Sequence, residues 1–334
     1  MQSITIVDST LRDGSHSVSH KYSVDQVERI ARSLDEAGVP VIEVSHGDGL
    51  GGSSFNYGIS SVPEGTLIAA AKGVIKRAKL AVLLLPGIGT REDLRSAHDQ
   101  GATLVRVATH STEADIAIQH IGLARELGMT TAGFLMMAHM TDPKVLAEQA
   151  KIMADAGAEI VYVTDSAGAL LPDGAAERVT VLRDVLPDDV EVGFHGHMNL
   201  ALAIANSLAA VDAGATWIDG CTRGIGAGAG NTPLEVFVAV CDKAGIATGV
   251  DPMALIDAAE EVIAPTVGKL PNLNRSSVVL GYAGVYGSFL RHAERAGEQF
   301  GVSPRDILME VGRRKAVGGQ EDLVLQIAAS MARS

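Results

Sequence analysis

The sequence is poor in several things, and each shortage removes a class of function. It has 2 cysteines in 334 residues, Cys221 and Cys241. They lie too far apart in sequence for a metal-ligand motif, and a pair of this kind implies no disulfide framework. Packing is the expected role for both. Aromatic residues make up only 4% of the chain, so a surface that stacks bases is not the theme. Positive charge is outweighed, with a formal net charge of -13, which argues against a nucleic-acid partner. No apolar run approaches the roughly 18 residues that span a bilayer. The opening MQSITIVDST has neither a basic start nor the apolar stretch of a secretory leader. The expectation is a cytosolic protein.

What is present is a rhythm. EAGVPVIEV, DQGATLVRV, ELGMTTAGF, DAGAEIVYV and DAGATWIDG each close a helical pattern with glycine and open an apolar run. The glycines are Gly38, Gly101, Gly128, Gly157 and Gly214. Glycine just past a helix end suits a left-handed cap. Their spacings are near multiples of about 30 residues, one strand–helix unit. Filling in the units gives eight strands, near Ser3–Asp8, Pro40–Ser45, Leu80–Leu85, Leu104–Ala108, Thr131–Met136, Ile160–Thr164, Glu191–His195 and Trp217–Gly220. Helices are expected over Val24–Glu36, Thr112–Leu127, Pro143–Asp155 and Leu200–Asp212, among others. Continuously apolar strands are those of a parallel sheet covered on both faces. The expected fold is therefore an α/β class (β/α)8 TIM barrel, with a doubly wound open sheet as the alternative.

The rhythm stops near residue 260. Pro265–Ser277 reads as a linker, followed by helical patterns over Leu280–Ala296, Pro304–Arg314 and Glu321–Met331. The expected division is a barrel over 1–262 and a small helical domain over 263–334.

Chemistry in such a barrel belongs at the C-terminal ends of strands. The first strand runs into VDSTLRDGSHS, which carries Arg12, Asp13 and His16 in one turn. The seventh runs into FHGHMN. His195 and His197 are two apart on a strand, so their side chains point the same way. With Asp13, two strands away round the ring, they form a two-histidine, one-carboxylate set for a divalent metal. Arg12 beside it points to an anionic substrate or a developing enolate. A structural ion pair with Asp8 or Asp165 is its other reading. His16 is a candidate general base, or a hydrogen-bonding support. Ser166, in TDSAG after strand six, is a candidate carboxylate contact. SHGDGLGGSS after strand two brings His46 and Asp48 to the rim as site-shaping residues. RGIGAGAGN after strand eight lacks the lysine of a phosphate loop, and its glycines let the backbone pass near the site.

With DSTLRDG and HGH in place, the sequence resembles the superfamily of 3-hydroxy-3-methylglutaryl-CoA lyase, isopropylmalate synthase and homocitrate synthase. It most resembles the 4-hydroxy-2-oxovalerate aldolases of aromatic and steroid ring degradation. The shared stretches are LRDGSHSVSH, EVSHGDGLGGSSFNYG, TDSAGAL, GFHGHMNLALAIANS, GIGAGAGNTPLE and GYAGVYGSFLRHAERA, which together cover nearly the whole chain. The Gly-Glu-Arg of the Claisen-type synthases is absent: that place reads Gly226-Ala227-Gly228-Ala229. The CoA lyase's reactive cysteine is missing from this loop as well.

The resemblance implies a class II retro-aldol cleavage of a 4-hydroxy-2-oxoacid to pyruvate and a short aldehyde. It implies a divalent cation, Mn²⁺, on Asp13, His195 and His197. It counts Arg12, Asp13, Ser166, His195 and Tyr286 among the residues that bind substrate. His16 takes the C4 hydroxyl proton and Arg12 stabilises the enolate. Tyr286 orients the C4 hydroxyl, although Tyr282 is equally eligible from sequence. Leu83 and Leu85 line the aldehyde pocket or serve the core. The resemblance also implies a partner, an acylating aldehyde dehydrogenase that receives the aldehyde through a channel, with the C-terminal helices as its docking domain. Two further readings stay open: an acyl-CoA condensing or cleaving barrel, and a non-catalytic barrel serving as a subunit of a dehydrogenase complex.

Overall fold

The computed structural model describes residues 3–268, 270 and 273–333. Its eight described barrel strands are β1 (Thr5–Leu11), β2 (Val41–Val44), β3 (Lys79–Leu84), β4 (Leu104–His110), β5 (Thr130–Met136), β6 (Ile160–Asp165), β7 (Glu191–Gly196) and β8 (Trp217–Gly220). They pair in parallel, each with the next, and β8 closes on β1. This is the closed (β/α)8 barrel, not an open sheet. Between the strands run α1 (Val24–Glu36), α2 (Glu64–Val74), α3 (Arg91–Asp99), α4 (Ile118–Glu126), α5 (Pro143–Asp155), α6 (Pro172–Val185) and α7 (Ala203–Asp212). The helix α8 (Leu234–Ala244) follows the last strand. All five cap glycines named above have positive φ, from 74° at Gly128 to 107° at Gly214. They turn the chain sharply from helix into strand.

Alternation along the strands divides two cores. Ile6, Ile42, Val105, Val161 and Ile218 face outward and pack under the helices. Val7, Val41, Leu104, Phe134, Ile160, Tyr162 and Trp217 face inward and fill the barrel. The same inward parity carries Glu43, Arg106, His195 and Asp219, so two carboxylates, a guanidinium and an imidazole share the interior with the apolar side chains.

Several boundaries differ from the sequence expectation. β1 runs past Asp8 to Leu11, because Leu11 pairs with Val44 after a break in register. The segment expected as a helix from Thr112 begins with a 3-10 turn over Ala114–Ala117, and α4 starts at Ile118. The helix expected from Leu200 starts at Ala203, since Ala201 has a φ of 60° and Leu202 is not helical. The helix expected over Leu280–Ala296 is two: α11 (Arg275–Ala283) and α12 (Phe289–Phe300). α11 stops at Gly284, which takes the left-handed cap conformation.

Beyond α8 come α9 (Pro252–Ala258), a π-helical turn and α10 (Ala264–Val267). Ile263 and Val267 still pack into the barrel's outer core. The expected linker Pro265–Ser277 is therefore partly helical at both ends. Its Lys269, Pro271 and Asn272 lie outside the described residues. Then α11, α12, α13 (Pro304–Arg313) and α14 (Asp322–Met331) build a second core around Leu280, Phe289, Ile307, Val311 and Ile327.

Candidate active site

At the C-terminal mouth of the barrel, β1 passes into a 3-10 turn over Asp13–Val18. This turn and the end of β7 face each other across β8. Asp13 Oδ2 stands 4.0 Å from Nε2 of His195 and 4.0 Å from Nε2 of His197. The two Nε2 atoms are 3.1 Å apart, close to the roughly 3 Å between adjacent ligands of an ion that binds each at about 2.1 Å. All three residues are buried.

Their chemistry suits a cation. The Asp13 Oδ1 atom accepts the Ala227 N–H at 2.9 Å, and Arg12 Nη1 donates to Oδ2 at 2.6 Å. Burial raises the Asp13 carboxyl, but Arg12 and the neighbouring imidazoles outweigh it and hold the group far below the carboxylate range. His195 Nδ1 donates to Asp219 Oδ2 at 3.1 Å, which leaves the Nε2 lone pair facing the site. Burial lowers His197 to about 4, so its imidazole is neutral, as a ligand must be.

Arg12 does not bridge to Asp8 or Asp165. Its Nε donates to Glu43 Oε2 at 2.7 Å. Asp8 is used elsewhere, accepting from the Thr222 hydroxyl and from the Thr10 N–H. Asp165 accepts the Ala169 and Leu170 N–H groups. Burial raises Asp165 to about 6. Arg12 Nη2 is buried without a partner, so a donor of the guanidinium is left over for something else.

His16 is half-buried on the same turn and packs edge-on against the His20 ring. The His20 ring in turn stacks on His46. Asp48 lies close enough to form a second ligand-like group with His16 and His20. Ser166 is buried after β6, and its hydroxyl oxygen accepts the Met137 N–H at 3.1 Å. Its own proton remains available. Tyr286, in the loop between α11 and α12, is half-buried. Burial pushes its phenol up, and Asp48, Asp13 and Arg12 all act on it. Tyr282, near the end of α11, is 75% exposed. Leu83 is buried inside the barrel and Leu85 packs partly against the same cluster.

The sequence reading missed Glu43, Arg106 and Asp219. Each is a lone charge inside an apolar strand, in VIEV, LVRVATH and WIDG. That interruption was the available signal.

The Gly-rich segment after β8 holds Asp13 in place. Besides the Ala227 contact, the Gly226 N–H donates to Ser17 Oγ at 3.1 Å. The C-terminal helices close over the mouth. Asn199 Nδ2 donates to the Ser277 carbonyl at 3.0 Å, and His139 Nε2 donates to the Gly284 carbonyl at 3.1 Å.

Residues 3–262 match the family model described as HMGL-like, and residues 271–333 match the DmpG-like communication domain. A protein of Rhodococcus jostii called 4-hydroxy-2-oxovalerate aldolase 4 is 57% identical over 329 residues, covering 98% of this chain and 94% of that one. The 4-hydroxy-2-oxovalerate aldolase of Brevibacillus brevis is also 57% identical, covering 98% and 96%. Among solved structures, the carboxyl transferase domain of Rhizobium etli pyruvate carboxylase superposes with a TM-score of 0.81. It is 18% identical and covers 100% of this chain and 61% of that one. At that identity the likeness is one of fold.

Proposed function

The chain belongs to the HMGL-like family, and within it to the 4-hydroxy-2-oxovalerate aldolases, and on that premise we propose a metal-dependent retro-aldol cleavage of 4-hydroxy-2-oxopentanoate or its six-carbon homologue. The products are pyruvate and acetaldehyde, or propanal. The observation that carries the reading is the convergence of Asp13, His195 and His197 on one point, with Arg12 and His16 on the adjoining turn.

In this reading Asp13, His195 and His197 hold a divalent cation, Mn²⁺ by family resemblance. When bound, it acts as a Lewis acid toward the substrate's 2-oxoacid end. The remaining work falls to the chain's own groups. Arg12, held on one side by Glu43, directs its spare donor at the C2 oxygen, where negative charge develops as C3–C4 breaks. His16 removes the C4 hydroxyl proton, and C4 leaves as the aldehyde carbon. A proton delivered to C3 completes pyruvate. Tyr286 orients the C4 hydroxyl, Ser166 donates to the substrate carboxylate, and Leu83 and Leu85 line the aldehyde side.

Charge supports this assignment. The buried set of Arg12, Arg106, Asp13, Glu43 and Asp219 carries one more negative charge than positive. A divalent cation reverses that sign, and an anionic substrate then neutralises it. The communication-domain match at 271–333 supports a partner, an acylating aldehyde dehydrogenase that docks on α11–α14 and receives the aldehyde. The reading carries a cytoplasmic location and a role in aromatic or steroid ring catabolism with it. No described helix is long and apolar enough to cross a membrane.

The test is pyruvate release from racemic 4-hydroxy-2-oxopentanoate and 4-hydroxy-2-oxohexanoate by metal-stripped protein, with and without Mn²⁺, beside His195→Ala. Activity restored by Mn²⁺ and lost in the variant is expected. No pyruvate from either substrate with any divalent metal overturns the reading.

A further inference from the structure

We propose that Arg106 is a positioning residue, a single buried guanidinium that sets both the ligating imidazole of His195 and the guanidinium of Arg12 by holding the carboxylate behind each. The inference rests on the functional reading above, in which His195 holds the metal and Arg12 faces the oxyanion.

Arg106 lies in the middle of β4 with no exposed surface, pointing into the barrel. Its Nε donates to Glu43 Oε1 at 2.7 Å, and its Nη2 reaches the other oxygen of the same carboxylate and Ser9 Oγ. Its Nη1 forms an ion pair with Asp219 Oδ2. Each carboxylate then passes to a functional group. Glu43 Oε2 accepts Arg12 Nε at 2.7 Å. Asp219 Oδ2 accepts His195 Nδ1–H at 3.1 Å. Two chains of contacts leave one cation and end on the two sides of the site. A third contact runs the same way: the guanidinium sits 4.7 Å over the Phe134 ring, which packs edge-on against the His195 ring.

The plain alternative is that Arg106 only fills the barrel. Its inward neighbours on β4 are Leu104 and Ala108, so an apolar side chain would serve that purpose without desolvating a charge. Only a planar fork holds two carboxylates at fixed angles, and lysine has no such geometry. A carboxylate behind a ligating histidine fixes its tautomer and ring orientation, and loss of such a partner weakens metal binding by about 10- to 100-fold.

The test compares Arg106→Lys, Asp219→Asn and Glu43→Gln in the full chain. Mn²⁺ affinity is read without substrate, from free Mn²⁺ by electron paramagnetic resonance, and kcat is read at saturating Mn²⁺. Asp219→Asn should weaken Mn²⁺ binding by about 10- to 100-fold while saturated kcat changes little. Glu43→Gln should lower saturated kcat by about 100-fold while Mn²⁺ affinity changes little. Arg106→Lys should show both losses at once. If Arg106→Lys lowers only thermal stability and leaves both readouts within about twofold of wild type, Arg106 is packing and the proposal fails. If that variant does not fold, Arg106→Gln, which keeps a planar donor, is read by the same two measurements, and values within about twofold of wild type for both overturn the proposal. A wild-type protein that binds no Mn²⁺ or releases no pyruvate fails the functional reading first, and this proposal with it.

Discussion

At the scale of residues, the site depends on where single atoms stop. Arg12 meets Glu43 through Nε and Asp13 through Nη1, two directions that one ammonium group cannot reproduce. Arg12→Lys should therefore keep the fold and lower kcat/KM by about 10²- to 10³-fold. Steady-state kinetics beside a thermal melt checks this, and near-normal activity would refute the oxyanion role. Gly226 gives a second case. Its φ is 152°, and an added Cβ would stand 2.9 Å from Asp13 Oδ1 and 2.4 Å from Asn231 Nδ2. Gly226→Ala should push the Asp13 carboxylate off its position and weaken Mn²⁺ binding, read by titration of the stripped protein. Unchanged affinity would mean that the loop yields instead.

At the scale of elements, the barrel's helices are fastened by buried polar joints as well as by apolar packing. Asp35 at the end of α1 accepts the Lys76, Arg77 and Ala78 N–H groups in the turn before β3. Burial raises this carboxyl, but those three donors and the Arg77 guanidinium together outweigh it and leave it below its ordinary value. A depressed carboxylate stabilises the fold fully above its unfolded pKa, and that contribution is lost as pH falls through the folded one. Asp35→Asn should cost about 1–3 kcal/mol near neutrality, with the gap to wild type narrowing as pH drops below about 4. Thermal melts across that range test the sign. A gap that widens in acid would be wrong for this account.

The elements also show what the sequence could say. Glycine caps marked five of the eight strands, and apolar runs at the same spacing marked β1, β3 and β7, because a strand buried on both faces has few other compositions. The DSTLRDG turn and HGH marked the mouth, because polar residues at a strand's C-terminal end stand out against those runs. The break at Gly284 was harder to read. LGYAGVYGSFL keeps an apolar pattern across the stop and offers three glycines, of which Gly284 takes the left-handed cap while Val285 and Phe289 pack into the second core. Glu43, Arg106 and Asp219 were legible as interruptions, but their meaning was not. Pairing a charge on β4 with one on β8 needs the closed ring, which no local pattern announces.

At the scale of the molecule, the C-terminal helices are tied to the loops at the barrel's mouth. Tyr286 comes from the helical part, and α11 lies against the turn that follows His197. A Cβ on Gly281 would come within 2.9 Å of Asn199 Cβ and 3.0 Å of Leu200 Cγ. Gly281→Val should therefore pry α11 from the barrel and move Tyr286. The expected result is a lower kcat/KM with Mn²⁺ affinity near that of wild type. Loss of both together would show that the disturbance spreads into the barrel.

The placement of Arg106 has a consequence for how the chain must come together. Glu43, on β2, is made before it, but Asp219 follows 113 residues later. A nascent chain that has emerged only as far as β7 holds Arg106, its partner Glu43 and the His195 imidazole, yet not the carboxylate that joins Arg106 to His195. The final strand brings the second carboxylate and completes the ring. The second ion pair of Arg106 and the closure of the ring thus come with the same strand, and a protein cut anywhere between β4 and β8 puts Arg106 and Asp219 on separate fragments.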